Sequence, residues 1–347
     1  MSLSVLKRLF ILALLIASLA TAGFGWYMHQ MFNRPLVELA EKPDVIDVMP
    51  GDGMYRVCHR MKSLGLISNV RTFCRVAMWS GYDHVIKGRY EITDVDTPKT
   101  LLDKMKSGEV VTFTISLIEG HTFKQMYQRI QENSNIVPIL EGLTDQEIMA
   151  RVAGDKTIHP EGQFYPDTYS FSYGVSDLDV LTRAYNKLHT VLDEEWKAKQ
   201  SDLPYKNAYE ALIMASIVEK ETAVGEERPQ IAKVFIKRLK LGMRLQTDPT
   251  VIYGMGDKYD GNITRRDLRA KTPYNTYRID GLPPTPIAMV GRDAIKAALQ
   301  PEGKDALFFV AKGDGTHYFS KTLEEHNKAV RQYQMRRSSN YRSTPNQ

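Results

Sequence analysis

The chain has 347 residues, 43% apolar and 25% charged, with a formal net charge of +5. That is material for two or three domains with real cores, and the ordinary composition excludes a long disordered or low-complexity protein. Much of the positive charge sits in the terminal stretch "KAVRQYQMRRSSNYR", and no basic run is interleaved with stacking aromatics, so a nucleic-acid partner is not expected.

Residues 9–28, "LFILALLIASLATAGFGWYM", carry no charge and are long enough to cross a bilayer as a helix. Lys7 and Arg8 precede the run, and Trp26 and Tyr27 lie at its far end, which predicts a cytoplasmic N-terminus with the rest of the chain outside. Ala20-Thr21-Ala22 resembles a signal-peptide cleavage site, but the apolar run continues to Met28, further than a signal core requires. The expectation is a single-pass protein of the cytoplasmic (inner) membrane. Residues 1–8 lie inside, 9–28 form the anchor, 29–43 form a linker, and a large extracytoplasmic (periplasmic) part follows.

Residues 44–115 read as small alternating elements of an α+β fold. "VIDVMPG" is strand-like and ends in a Pro-Gly turn, two short helical patterns follow, and "GRYEIT" suggests a second strand. This strand–helix–helix–strand order resembles the LysM fold, a module that often binds N-acetylglucosamine-containing glycans. The resemblance is one of topology over about residues 44–93. The only two cysteines, Cys58 and Cys74, fall one on each short helix. Antiparallel neighbours can bring them within bridging reach, and two free buried thiols are the alternative. "TPKTLLDKMKSGEV" then predicts an amphipathic helix starting at Thr97, and "VTFTISLIEG" a strand.

Residues 116–200 are mainly helical in pattern, interrupted by "HPEGQFYPDTYSFSYG", an aromatic loop suited to a packed junction or to a groove lining. Residues 201–335 are densest in signals. A helix beginning near Ala208 holds Glu219 and Glu221, and Pro229 opens the next helix, which ends at Gly242. Asp248-Pro249 reads as an N-cap and first-turn proline, and Thr264/Asp267 and Thr322/Glu325 read as capping boxes. "ALFFVAKGDGTHYFS" predicts a hairpin turned at Gly313-Asp314-Gly315. "TPYNTYRIDGLPPTPIAM" is held extended by proline. Residues 336–347 form a polar tail.

The chain has no His-Glu-x-x-His pair, no zinc-spaced Cys/His cluster, no phosphate loop, no Gly-x-Ser-x-Gly elbow and no Ser-x-x-Lys, so no metal or cofactor is expected. Carboxylate chemistry amid amides, hydroxyls and aromatics remains, the usual equipment for cleaving sugars. Glu219 and Glu221 are two positions apart, about 200° of helix rotation, so they cannot flank one glycosidic bond as a pair. A glutamate on so apolar a helix should have its pKa raised, as a general acid requires.

"ASIVEKETA", "VFIKRL", "MRLQTDPTVIYGMG", "YNTY", "GLPPTPI", "HNKAV" and "EGQFYPDTY" together resemble the endolytic murein transglycosylases of the MltG (YceG-like) family, from the anchor to the C-terminus and most strongly over 205–335. The resemblance implies lytic cleavage of the MurNAc-GlcNAc bond within nascent peptidoglycan strands, leaving 1,6-anhydro-MurNAc ends and terminating elongation. One glutamate acts first as acid and then as base. Lytic transglycosylases place that glutamate before a small hydroxyl residue, which selects Glu221, followed by Thr222, with Glu219 as the alternative acid or a supporting group. Gln246, Thr247, Asp248, Tyr253, Asn275, Thr276 and Tyr277 are the implied substrate-binding residues, Asp248 doubling as an N-cap, with His326 and Asn327 as weaker candidates. The implied partners are glycan strands, the membrane and penicillin-binding-protein synthases. A glycan-binding scaffold without catalysis is the competing reading.

Overall fold

An uncharged run without proline propagates as helix until polar residues and a proline stop it. In the computed structural model, which describes residues 3–36 and 43–335, α1 (Leu3–Asn33) does this and ends just before Pro35. Its stretch Leu6–Asn33 is long and apolar enough to cross a membrane, and its most apolar 18 residues, with mean hydropathy 2.1, have their side chains left open. The helix runs past the expected end at residue 28, because Met31 and Phe32 find an apolar core to enter. Phe32 stacks on Phe73 at 4.5 Å between ring centres. Residues 29–33 of the expected linker are therefore helical, and residues 37–42 lie outside the described residues.

The chain divides into two compact units, Met1–Phe113 with Ser170–Val175, and Thr114–Tyr169 with Ser176–Gln347. In the first, β1 (Val45–Val48) is followed by α2 (Met54–Ser63), α3 (Val70–Trp79), β2 (Gly88–Glu91) and α4 (Pro98–Ser107). β1 and β2 pair antiparallel from Val45↔Glu91 to Val48↔Gly88, giving the expected strand–helix–helix–strand order. Ile46, Val48 and Tyr90 turn inward, while Asp47 faces Arg89 in a two-point ion pair of 2.7 and 3.0 Å. α2 buries Met54, Val57, Cys58 and Met61, the helical spacing of a single apolar face, against Phe73, Cys74 and Ala77 of α3. Thr97 caps α4 with Thr100 in a reciprocal box.

Where the two helices meet, Cys58 and Cys74 form a disulfide with their Cα atoms 6.1 Å apart, so the free-thiol alternative falls. A bridge closing a loop of this length contributes about 3 kcal/mol, by loop-closure entropy. Denatured, unreduced protein should therefore resist alkylation at both cysteines. The Cys58→Ser/Cys74→Ser protein should unfold at a lower denaturant midpoint, and an unchanged midpoint would count against a stabilising bridge.

β3 (Thr112–Ser116) and β4 (Thr168–Ser172) pair in a second sheet. β4 lies inside the stretch expected to be an aromatic loop. Its alternating buried Tyr169 and Phe171 carry a strand signal that the neighbouring Gly and Pro residues obscure. The second unit continues with α5 (Phe123–Gln131), α6 (Asp145–Val152), α7 (Asp177–Lys197), α8 (Ala208–Glu221), α9 (Arg228–Lys240), α10 (Asp248–Met255), α11 (Arg265–Arg269) and α12 (Arg292–Leu299). β5 (Phe308–Ala311), β6 (His317–Ser320) and α13 (Leu323–Tyr333) complete it.

α8 is the centre of this unit. Eight consecutive residues, Ala211–Val218, are buried, as expected of a helix apolar on every side. α7, α9, α10 and α12 surround it, and Ile217, Ile231, Phe235, Ile287, Val290 and Ile295 belong to one continuous core. The proline-rich extended segment is tied to α8 where the Ile287 N–H donates to Ser216 Oγ at 3.0 Å. β5 and β6 form the expected hairpin, in register from Phe308↔Ser320 to Ala311↔His317, closed by the Lys312 N–H on the Thr316 carbonyl. Both expected capping boxes, Thr264/Asp267 and Thr322/Glu325, are present.

Candidate active site

The last turn of α8 places two carboxylates in different surroundings. Glu219 is almost fully buried, and its Oε1 accepts from Arg228 at 2.7 Å while its Oε2 accepts the Gly291 N–H at 3.2 Å. Burial raises its pKa, opposed by the Arg228 charge. Lys220, between the two glutamates, points away and donates to the Gly120 carbonyl at 3.0 Å. Thr222 ends the helix, and its hydroxyl accepts the Val224 N–H, turning the chain toward α9.

Glu221 meets a different set of groups. Its Oε2 accepts the Thr247 hydroxyl at 2.6 Å. Burial of its carboxyl raises the pKa, the Thr247 hydrogen bond and the charges of His317 and Arg238 pull it down, and Asp248 pushes it up. The helix C-terminus adds its partial negative charge and also favours the protonated acid. The surroundings are therefore less apolar than the helix alone suggests: β6 brings His317 and α9 brings Arg238. Arg238 is also a structural strap, donating to the Leu307 carbonyl at 2.8 Å and the Leu245 carbonyl at 2.7 Å.

Thr247 is held by a small hydroxyl network. Its N–H donates to Thr276 Oγ1 at 3.0 Å, and Thr276 meets the Thr250 hydroxyl at 2.8 Å. Gln246 is exposed, has a positive φ of 53°, and donates its N–H to the Thr276 carbonyl. Thr247, rather than Asp248, occupies the N-cap position of α10, and its hydroxyl does not cap because it is spent on Glu221. Asp248 is exposed in the first turn and accepts the Tyr277 hydroxyl at 2.7 Å.

The remaining expected site residues divide by burial. Tyr253 and Tyr277 are half-buried. Asn275 and Thr276, expected to bind substrate, are fully buried. The Asn275 amide donates to the carbonyls of Asp267 and Ala270 and its Oδ1 accepts the Tyr277 N–H, so it shapes the segment from within. His326 stacks on Phe308 at 5.2 Å and has its Nδ1 buried without a partner, while Asn327 is exposed.

Glu161, in the "EGQFYPDTY" stretch, escaped the sequence reading as an individual residue. It is only 3% exposed, accepts the Phe123 N–H and the Tyr253 hydroxyl, both at 3.0 Å, and has its pKa pushed up to about 7 by burial. It anchors Tyr253, and with it α10. His317 and Arg238 also went unnoticed, because a strand histidine and a helix arginine carry no sequence mark of what they face. Among the described residues no group of acidic, histidine or cysteine side chains is arranged to hold a metal.

Fold and site together define a carboxylate centre at the end of a buried helix in a mixed helix and strand protein with an N-terminal apolar helix. Residues 46–332 match the model of the YceG-like family, and the chain belongs to that family. It is 31% identical to the endolytic murein transglycosylase of Bacillus subtilis (strain 168), covering 87% of this chain and 89% of that protein. It is 25% identical to the endolytic murein transglycosylase of Streptococcus pneumoniae (strain D39), over 94% of this chain and 65% of that longer protein. A crystal structure of a yceG-like protein from Listeria monocytogenes covers 82% of this chain and 97% of its own, at 32% identity and a TM-score of 0.52.

Two variants separate the structural carboxylates from Glu221. Glu219→Ala leaves Arg228 buried without its main partner and should cost about 3 kcal/mol in denaturant unfolding, softened by Glu119 and Asp293 at 3.9 and 4.0 Å. Glu161 is raised above its unfolded pKa of about 4.5, so the folded state holds the proton longer and stability falls as pH rises toward about 7. Glu161→Gln should remove up to about 3 kcal/mol of that pH dependence. Parallel unfolding curves at pH 5 and pH 8 check it, and an equal pH slope in both proteins would refute the assignment.

Proposed function

We propose that the chain is a membrane-anchored endolytic lytic transglycosylase that cleaves the MurNAc-GlcNAc bond within peptidoglycan strands, with Glu221 as its single general acid and base. The observation that carries this reading is the Glu221 carboxyl itself. It is desolvated and set at the negative end of a helix, both of which raise its pKa, and the Thr247 hydroxyl holds it in place. The names of the Bacillus and Streptococcus relatives supply the substrate class.

In the proposed reaction Glu221 gives its proton to the oxygen leaving C1 of MurNAc, and the glycosidic bond breaks. The resulting carboxylate takes the proton of that sugar's 6-hydroxyl, whose oxygen closes onto C1 to form the 1,6-anhydro ring. The acid is regenerated and no water is consumed. Because the nucleophile is tethered to the substrate, positioning carries much of the rate. Thr247 fixes the carboxyl rotamer, and exposed Gln246 and Asp248 with half-buried Tyr253 and Tyr277 offer hydrogen-bonding and stacking edges for sugars. The strand–helix–helix–strand unit is proposed as a second glycan contact. With Lys7 and Arg8 on the cytoplasmic side, the chain beyond the anchor lies outside the membrane, where a synthase extends nascent strands.

Glu221→Gln keeps the shape but cannot cycle a proton. It should fold, bind purified glycan strands, and lose anhydro-ended product by 10²–10⁴-fold, about the range for removed acid–base catalysis. Mass spectrometry of the products decides, and near-normal anhydro product from this variant would reject Glu221 as the acid.

A further inference from the structure

Segments far apart in the chain meet around one buried carboxyl of the second unit. Glu161 stands between α5 and α10: its Oε1 accepts the N–H of Phe123, the first residue of α5, and its Oε2 accepts the Tyr253 hydroxyl, both at 3.0 Å. Two glycines let the neighbouring segments close in. Gly162 has a φ of 73°, and a Cβ there would collide with the Pro286 ring, so "EGQFYPDTY" lies directly on the proline-rich extended segment. Gly254, next to Tyr253, admits Tyr274: a Cβ at Gly254 would stand 3.0 Å from the Tyr274 Cβ.

This packing produces a fixed pair of rings. Tyr253 and Tyr274 meet edge-on with their centres 4.8 Å apart, and the Tyr274 hydroxyl meets Thr285 Oγ1 at 2.9 Å. Both hydroxyls are therefore engaged by protein groups, while both rings stay half-buried. A tyrosine whose hydroxyl is held inside offers a substrate its ring, a flat apolar surface that suits the C–H face of a pyranose. Tyr253 also rides on the helix that holds the acid. Thr247, which donates to Glu221 at 2.6 Å, is the N-cap of α10, and Tyr253 follows it by six residues. That separation is about 9 Å along the helix axis.

We propose that Glu161 is a positioning residue for substrate, fixing Tyr253, paired with Tyr274, as the platform on which one sugar ring of the glycan strand stacks. The inference rests on the glycan substrate proposed above and names a subsite that takes it. Without the bond to Glu161 the Tyr253 ring keeps its area but loses its fixed orientation, so binding weakens while the groups around Glu221 stay as they are. Tyr253→Phe removes this tether from one side and Glu161→Leu from the other. Glu161→Gln keeps it, because the amide can bond both the Phe123 N–H and the Tyr253 hydroxyl.

The test uses the full chain in detergent, with peptide-free glycan oligosaccharides prepared from peptidoglycan as the probe, and reads Kd by calorimetry beside KM and kcat. Tyr253→Phe and Glu161→Leu should each weaken binding about tenfold, the loss of one hydrogen bond. KM should rise with little change in kcat. The double variant should bind no more weakly than either single one, because all three lose the same bond. Glu161→Gln should recover most of the affinity that Glu161→Leu loses. A group that only stabilised the fold would lower the melting temperature and leave the affinity of folded protein unchanged. Wild-type affinity in folded Glu161→Leu or Tyr253→Phe, or additive losses in the double variant, overturns the proposal. Should Glu161→Leu fail to fold, Tyr253→Phe decides by the same criterion. Glu221→Gln, measured alongside, keeps the two readings apart because binding is read without catalysis. If it stays active, the acid assignment falls and the affinities still judge Glu161. If it is inactive while the tether variants bind as wild type, this inference alone falls.

Discussion

The burial of α8 on every side is the constraint from which the second unit follows. Ala211–Val218 leave no polar face, so the helix is stable only when wrapped by α7, α9, α10 and α12, and its side chains tolerate no charge until the last turn. The two glutamates stand where the wrapping ends. There the chain can still desolvate a carboxyl, and it can also bring partners to it from several other elements. Two positions of separation then send the carboxyls to different sides. Glu219 meets Arg228 and the Gly291 N–H at the start of α12, a fully committed set that ties three helices together. Glu221 accepts instead from the neutral Thr247 hydroxyl.

A buried carboxylate with one hydroxyl partner is only as well placed as that hydroxyl. Thr247 owes its position to two rows of contacts that do not touch Glu221: its N–H on Thr276, and Thr276 on Thr250. Thr276 in turn belongs to the extended segment whose register is kept by the buried Asn275 amide, spent on the carbonyls of α11 and the residue after it. Asn275 and Thr276 of "YNTY" are therefore buried because they build the wall behind Glu221. Losing a helix cap at Thr247 costs α10 about 1 kcal/mol, and what replaces the cap is the hydrogen bond to Glu221.

The sequence disclosed elements whose signals are local. Proline in the first turn of α9, the reciprocal caps at Thr264 and Thr322, and the glycine-bounded turn of the last hairpin each specify a structure within a few residues. The opposite orientation of Glu219 and Glu221 was equally legible, since it follows from helix geometry alone. The misses were features decided by distant partners. β4 was hidden among glycines, prolines and aromatics because its strand character depends on pairing with β3, more than fifty residues earlier. Asp248 looked like an N-cap because the cap rule knows nothing of Glu221, which takes the Thr247 hydroxyl and shifts the helix start by one residue. The end of α1 was misjudged for the same reason. Phe32 extends the helix by stacking on Phe73, a residue that no local pattern connects to it.

The charges around Glu221 show why its surroundings could not be read from its own helix. Met214, Ile217 and Val218 predict a carboxyl facing apolar groups alone, yet α9 and β6 deliver Arg238 and His317 to the same place. A wholly apolar pocket would hold the proton so firmly that the carboxylate stage became inaccessible. A strong salt bridge, like the one Arg228 makes to Glu219, opposes protonation. A carboxyl with the acid-then-base role proposed for Glu221 needs both influences in near balance. Desolvation and the helix terminus favour the neutral acid. The Thr247 hydroxyl, Arg238 and His317 favour the anion. These opposing groups arrive from α9, α10 and β6, so the electrostatic balance at one carboxyl is a property of the assembled unit.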